Sequence, residues 1–176
     1  QQDDRAFATM KSRQPVQSEF QVRKSDIARH RIVETELPSL NDGEIRVEID
    51  HFGFTANNVT YAAAGEALGY WQFFPASDNT DQGWGIIPVW AFANVVASKN
   101  DAVPVGDRLY GYFPPATYLT MSPDRVTENV LFDGAEHRQK LPLLYNRYVR
   151  VLSDKSYNKK TDTSRVWLGP LLLTSF

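Results

Sequence analysis

The run Gly106-Asp107-Arg108-Leu109-Tyr110-Gly111-Tyr112, preceded by Pro104-Val105 and followed by Phe113-Pro114-Pro115, constrains the fold more than any other stretch. A glycine and an Asp in the turn, with alternating side chains after it, specify a tight turn that enters a strand. Upstream, Glu44 to Phe54 alternates most clearly, with Ile45, Val47 and Ile49 on one side and Arg46, Glu48 and Asp50 on the other. That period of two reads as a half-buried strand. Phe20 and Val22, then Arg31 to Glu36, read as a hairpin-like strand pair that Pro38 ends, with order beginning near Glu19. Ile86 to Ala97, Arg108 to Phe113 and Tyr118 to Met121 read as further strands, and Ala62-Ala63-Ala64 as a short helical turn stopped by Gly65. Residues 143 to 152 fit a helix or an extended segment equally well, and Ser153 to Arg165 reads as a polar loop. Many short strands with turn signals imply a mainly β protein with short helices, closed or nearly closed on itself.

The chain of 176 residues is long enough for one packed domain. Residues 1–17 lack a sustained period and are expected to be a mobile arm, 18–152 form the domain, and 153–176 are a polar loop with an apolar tail. A formal net charge of −2 gives no concentrated basic surface, so no nucleic-acid partner is expected. With no cysteine, disulfides, thiol nucleophiles and thiolate metal sites are excluded. No stretch approaches a membrane span and no basic-then-apolar leader opens the chain, so the expectation is a cytoplasmic protein without a membrane partner.

The order of the motifs carries further meaning. Leu40-Asn41-Asp42-Gly43-Glu44 leads into the alternating strand, Ile87-Pro88-Val89-Trp90-Ala91-Phe92-Ala93-Asn94-Val95-Val96 follows, and the glycine turn comes third. Over residues 19–125 this succession resembles the N-terminal, GroES-like half of the medium-chain dehydrogenase/reductase superfamily. Gly69 to Pro75, Glu136-His137 and Leu143 to Asn146 look like a divergent branch of it. The resemblance implies a GroES-like, partly open β-barrel. It also implies a Rossmann half that binds NADP(H), yet no G-x-G-x-x-G follows a strand in this sequence. The expectation is therefore a fragment, or one half of a split enzyme whose Rossmann partner is a separate chain, with little activity alone.

In zinc-dependent members a Gly-His-Glu precedes the strand that ends in Val-Val. Here Trp90 and Ala91 stand at the His and Glu positions, and neither side chain binds a metal. His30, His51 and His137 lack a supporting ligand cluster, and His51 has no identifiable acid partner. Asp78, Asp81 and Gly83 depart from a calcium-loop spacing. No metal is expected, and the resemblance shifts to zinc-independent quinone and enoyl reductases. In those, an Asn and a nearby Tyr after the central strand line the nicotinamide or substrate site. The resemblance thus implies Asn57 and Tyr61 as catalytic residues and Asn58 as a cofactor contact, on a small-molecule substrate with a conjugated carbonyl or quinone-like ring. Asn57 and Asn58 serve equally well to satisfy a turn.

Eight of the 22 aromatic residues fall between Tyr61 and Phe92. Phe73, Phe74 and Trp90 suit core packing, whereas Tyr70 and Trp71 fit either packing or a flat-ring substrate pocket. The rival class is a non-catalytic interaction module, in which the aromatic segment and the tail from Trp167 form an interface in a homo-oligomer or with another protein.

Overall fold

The computed structural model describes residues 15–67, 69–77, 83–139 and 142–173. Along the chain run β1 (Val16–Arg23), β2 (Asp26–Glu36), β3 (Ile45–Gly53), α1 (Ala56–Ala63), β4 (Trp84–Gly85), β5 (Val89–Ser98), β6 (Arg108–Phe113), β7 (Tyr118–Met121), β8 (Pro123–Val126), β9 (Val130–Asp133), α2 (Glu136–Gln139), β10 (Arg147–Arg150) and α3 (Asp162–Leu173). Short 3-10 turns cover Tyr70–Gln72, Leu143–Asn146, Val151–Ser153 and Lys159–Thr161.

The strands form two antiparallel sheets, one ordered β2-β1-β4 and a larger one ordered β7-β3-β5-β6-β10-β9-β8. The edge strands of the larger sheet, β7 and β8, are separated in the chain by Ser122 alone. The Gly134 N–H donates to the Ser122 carbonyl at 2.7 Å, and the Ser122 N–H donates to Asp133 Oδ1 at 3.0 Å. A sheet whose two edges are consecutive in sequence must curl, which gives the GroES-like, partly open barrel. The smaller sheet joins it where the Phe20 N–H meets the Pro115 carbonyl at 3.0 Å and the Thr117 N–H meets the Ser18 carbonyl at 2.9 Å.

The glycine turn performs several tasks at once. Gly106 has φ +97°, a conformation that favours glycine, and its N–H donates to the Val95 carbonyl at 2.9 Å. Asp107 accepts from Arg150 Nε and Nη2 at 2.9 and 2.6 Å, tying the turn to β10. Arg108 is buried among Asp50, Asp162, Asn94 and Tyr157, donating at 2.7 Å to both Asp50 and Asp162. Burial pushes the Asp50 carboxyl up, but the Arg108 hydrogen bond and charge outweigh it and hold Asp50 below its ordinary value.

Alternation then splits β5 and β6 between two cores. Val89, Ala91, Ala93, Val95, Leu109 and Phe113 fill the barrel interior with Ile45, Val47, Met121, Leu131 and Tyr148. Trp90 and Tyr112, which are cross-strand partners, face the other way into a second cluster under β1, α1 and the Tyr70–Gln72 turn. Phe92 joins Val151 and Val166 in a third.

Several expectations need correction. The helix around Ala62 starts at Ala56, because Asn58 accepts the Thr55 N–H at 2.6 Å and caps the first turn. Strand β1 starts at Val16, which pairs with Glu36, so its beginning is set by its partner. Residues 143–152 are neither one helix nor one strand but β10 flanked by two 3-10 turns. The stretch read as a loop to Arg165 and a tail beyond it contains α3. Buried Asp162 anchors that helix to Arg108, and buried Val166 seats against Gly53 of β3. The 1–17 arm lies outside the described residues up to residue 14.

Candidate functional site

Five elements converge on one aromatic cluster. Strand β5 supplies Trp90, β6 supplies Tyr110 and Tyr112, α1 supplies Tyr61, and the 3-10 turns supply Tyr70 and Tyr145; Phe73 follows the first of those turns. Ring centroids stand 5.3 Å apart for Trp90 and Tyr112, 5.0 Å for Tyr112 and Tyr145, 5.9 Å for Tyr61 and Tyr112, and 4.8 Å for Tyr61 and Tyr70. Phe73 meets Tyr112 and Tyr145 edge-on at 5.2 and 5.3 Å. These separations lie in the range where aromatic pairs attract beyond simple burial. Tyr61, Trp90 and Tyr112 are buried, whereas Tyr70 and Tyr145 are half-buried and form the accessible edge.

The polar tips distinguish this cluster from an ordinary core. Trp90 Nε1 and Tyr112 Oη are both buried without a hydrogen-bond partner among the described residues. Trp90 lies close enough to the Tyr61 phenol to favour its charged form, but not in hydrogen-bonding geometry. An unpaired buried donor costs about 1–3 kcal/mol, so two such groups side by side call for an explanation. Burial, followed by the neighbouring phenols, pushes Tyr61, Tyr70 and Tyr112 above the ordinary tyrosine value. Burial alone pushes Tyr110 up, to about 12, against the nearby Arg165 charge. These hydroxyls keep their protons at neutral pH and act as donors, not as bases.

The expected site residues separate into two groups. Tyr61 and Tyr70 belong to the cluster, and Asn57 lies one helical turn before Tyr61 on the same face of α1. Asn58 is 3 % exposed and its carboxamide is engaged at both ends, accepting from Thr55 N–H and donating to the Pro88 carbonyl at 2.8 Å. It fastens α1 to the segment before β5. The Trp71 ring is wedged between backbones, since a β-carbon on Gly65 would come within 2.2 Å of its Nε1 and one on Gly85 within 2.6 Å of Cε3. That indole builds the wall of the cluster.

Tyr110, Tyr112 and Tyr145 were not among the expected site residues. The signal for the first two was the Tyr-Gly-Tyr alternation in β6, which places both rings opposite the barrel interior. For Tyr145 no local signal exists. The structure corrects the reading of His51: its Nδ1 lies 3.4 Å from Asp50 Oδ2, an acid partner supplied by its own neighbour. A register shift between Ile49 and His51 makes this approach possible. Among the described residues no group of three or more His, Asp or Glu side chains is arranged for a metal. Asp78 and Asp81 lie outside the described residues, and no helix among those described is long and apolar enough to cross a membrane.

Comparison with known proteins adds three findings. No curated protein matches the sequence. Among solved structures the chain is similar to the quinone oxidoreductase from Coxiella burnetii, at 15% identity and a TM-score of 0.42, over 75% of this chain and 40% of that one. The match thus spans about 40% of the length of that oxidoreductase. The model of a family described as proteins of unknown function, DUF2855, matches residues 52–176, from the end of β3 through the aromatic cluster and α3, and the chain belongs to that family.

Proposed function

We propose that this chain is the substrate-side, GroES-like portion of an NADP(H)-dependent, zinc-independent oxidoreductase acting on a conjugated carbonyl or quinone-like compound. The observation that carries the proposal is the pair of unpartnered buried donors, Trp90 Nε1 and Tyr112 Oη, set among aromatic faces. In chemistry the two features match a flat ring bearing a carbonyl, because such a ring stacks on aromatic faces and its oxygen accepts from N–H and O–H donors. NADP(H), held chiefly by a Rossmann portion, supplies a hydride when bound. The remaining work falls to residues of this chain. Trp90 and Tyr112 would supply the hydrogen bonds that stabilise negative charge on a carbonyl oxygen of the substrate. Tyr61 keeps its proton at neutral pH and donates from the α1 side, with Asn57 beside it. The proton that completes the reduction enters from water at the half-buried edge formed by Tyr70 and Tyr145. Asn58 and Trp71 hold α1 and the cluster wall in position.

The test is a tryptophan-fluorescence titration with 1,4-naphthoquinone, which meets no thiol here because the chain has no cysteine. Saturable quenching is expected, and Tyr112→Phe should weaken it roughly tenfold through loss of one hydrogen bond to the bound oxygen. Quenching that never saturates, or that is identical in Tyr112→Phe, would defeat the reading.

A second reading, a protein-interaction module, rests on one observation. Trp167 and Leu168 on α3 are 55% and 54% exposed, and Phe54 beyond β3 is 45% exposed. Light scattering showing a stable homo-oligomer that Trp167→Ser dissolves would favour it.

A further inference from the structure

Strand β2, at 11 residues the longest among those described, lies at the edge of the smaller sheet, with β1 on one side and no described strand on the other. An open edge offers its backbone N–H and C=O groups to any strand that can align with it. The bonds made by β1 identify those groups on β2. The Phe20 N–H donates to the Pro115 carbonyl and the Ser18 carbonyl accepts from the Thr117 N–H, so both are turned away from β2. Their cross-strand partners, Ile32 and Glu34, therefore point their own N–H and C=O groups off the open edge. His30, two residues before Ile32, points the same way. Nearer the start of the strand the edge is closed, because Asp26 Oδ1 accepts the Ala28 N–H at 3.2 Å and His30 Nδ1 lies 3.1 Å from the Ala28 carbonyl.

The side chains of these residues share one exposed face, where Ile32 is 71% exposed between His30 and Glu34. Edges are ordinarily protected by charge, and an isoleucine at the middle of an open ladder is the reverse of that. The charges around it are ordered: Arg29, His30 and Arg31 precede Ile32, whereas Glu34 and Glu36 follow it. Two copies meeting antiparallel set the basic stretch of each beside the acidic stretch of the other.

Symmetry then narrows the register. A two-fold axis through such a seam stands perpendicular to the sheet, and opposed residues must share a face, so the axis passes through a residue and its own copy. Centred on Arg31 or Glu34, the pair opposes like charges directly; centred on His30, it sets Asp26 against Glu34; centred on Val33, it sets Ile32 against Glu34. Centred on Ile32, it packs isoleucine on isoleucine and sets each His30 opposite Glu34, with no like charges opposed. We propose that β2 is a homodimer interface, in which two copies pair antiparallel across a two-fold axis at Ile32 and join their smaller sheets into one. A single strand seam is a small interface, so the association is weak and concentration-dependent.

The experiment is light scattering of the full chain from about 1 μM to about 1 mM, the range of weak association, with amide exchange followed by NMR at both ends. The mass should climb toward that of a dimer, and the His30, Ile32 and Glu34 amides should slow at high concentration. Ile32→Lys, at an exposed position that leaves the monomer folded, sets two ammonium groups opposite each other and should raise the midpoint roughly tenfold or more. Glu34→Lys should weaken the dimer as well, and adding His30→Glu to it should restore association by exchanging the paired charges. Trp167→Ser should leave the dimer unchanged, which separates this seam from an interface on α3. A monomer throughout the range, a dimer indifferent to Ile32→Lys or dissolved by Trp167→Ser, or a charge exchange that restores nothing would overturn the proposal.

Discussion

The two faces of the β5–β6 pair are built from the same two strands with opposite chemistry, as expected when alternate residues point to opposite sides. The inner face, with Val89, Ala91, Ala93, Val95, Leu109 and Phe113, contributes only hydrocarbon to the barrel core. The outer face, with Trp90, Phe92, Tyr110 and Tyr112, is equally buried or nearly so but carries polar tips. Two of those tips lack partners among the described residues. The inner face buries no polar side-chain atom, whereas the outer face gives up some stability by burying two donors without partners.

The largest effect expected from this contrast is on the inner face. Phe113→Ala empties a fully buried site and should cost about 3–5 kcal/mol in urea denaturation. Asn58→Ala, which releases α1 from above the outer face, should cost about 1–2 kcal/mol by the same measurement, because a cap and a bond to Pro88 are lost together. Tyr112→Phe should change stability by less than about 1 kcal/mol, since the hydroxyl removed has no partner to lose. A cost as large as that of Phe113→Ala would erase the distinction between the faces.

Alkaline pH gives the most graded comparison. Tyr110 rises to about 12 in the folded protein against an ordinary 10, so the unfolded chain loses this proton first. The stability linked to it is complete below pH 10 and disappears as the pH climbs through about 12. Tyr61, Tyr70 and Tyr112 act in the same direction. The urea midpoint should therefore fall above pH 10, accompanied by phenolate absorbance, and Tyr110→Phe should flatten that fall. A midpoint independent of pH between 10 and 12 would mean that the outer phenols are not held protonated by burial.

Much of the barrel was legible because its signals are local. The alternation of Ile45, Val47 and Ile49 and the positive-φ turn at Gly106 each lie within a few residues. Helix α3 was hidden, since Gly169-Pro170 reads as a breaker and its anchor, Asp162, finds Arg108 only 54 residues away. Tyr61 and Tyr70 were visible as site candidates, but Tyr145 was not, because the ring lies more than 70 residues further along the chain and meets them only through the fold. The resemblance implies Asn58 as a cofactor contact, yet its carboxamide faces Thr55 and Pro88. The approach of Asp50 to His51 depends on a register shift that strand periodicity does not announce.

The glycine run that orders this chain illustrates the division. By itself the sequence determined that a turn occurs at Gly106, that a strand follows, and that Leu109 and Phe113 point away from Tyr110 and Tyr112, because backbone conformation and a period of two are local properties. Only the tertiary structure decided that Asp107 meets Arg150, that Arg108 holds Asp162, and that Tyr112 Oη lies beside Trp90 with no partner for either among the described residues. Whether a buried polar atom is satisfied depends on what distant segments bring to within 3 Å of it, and that distance is set by packing.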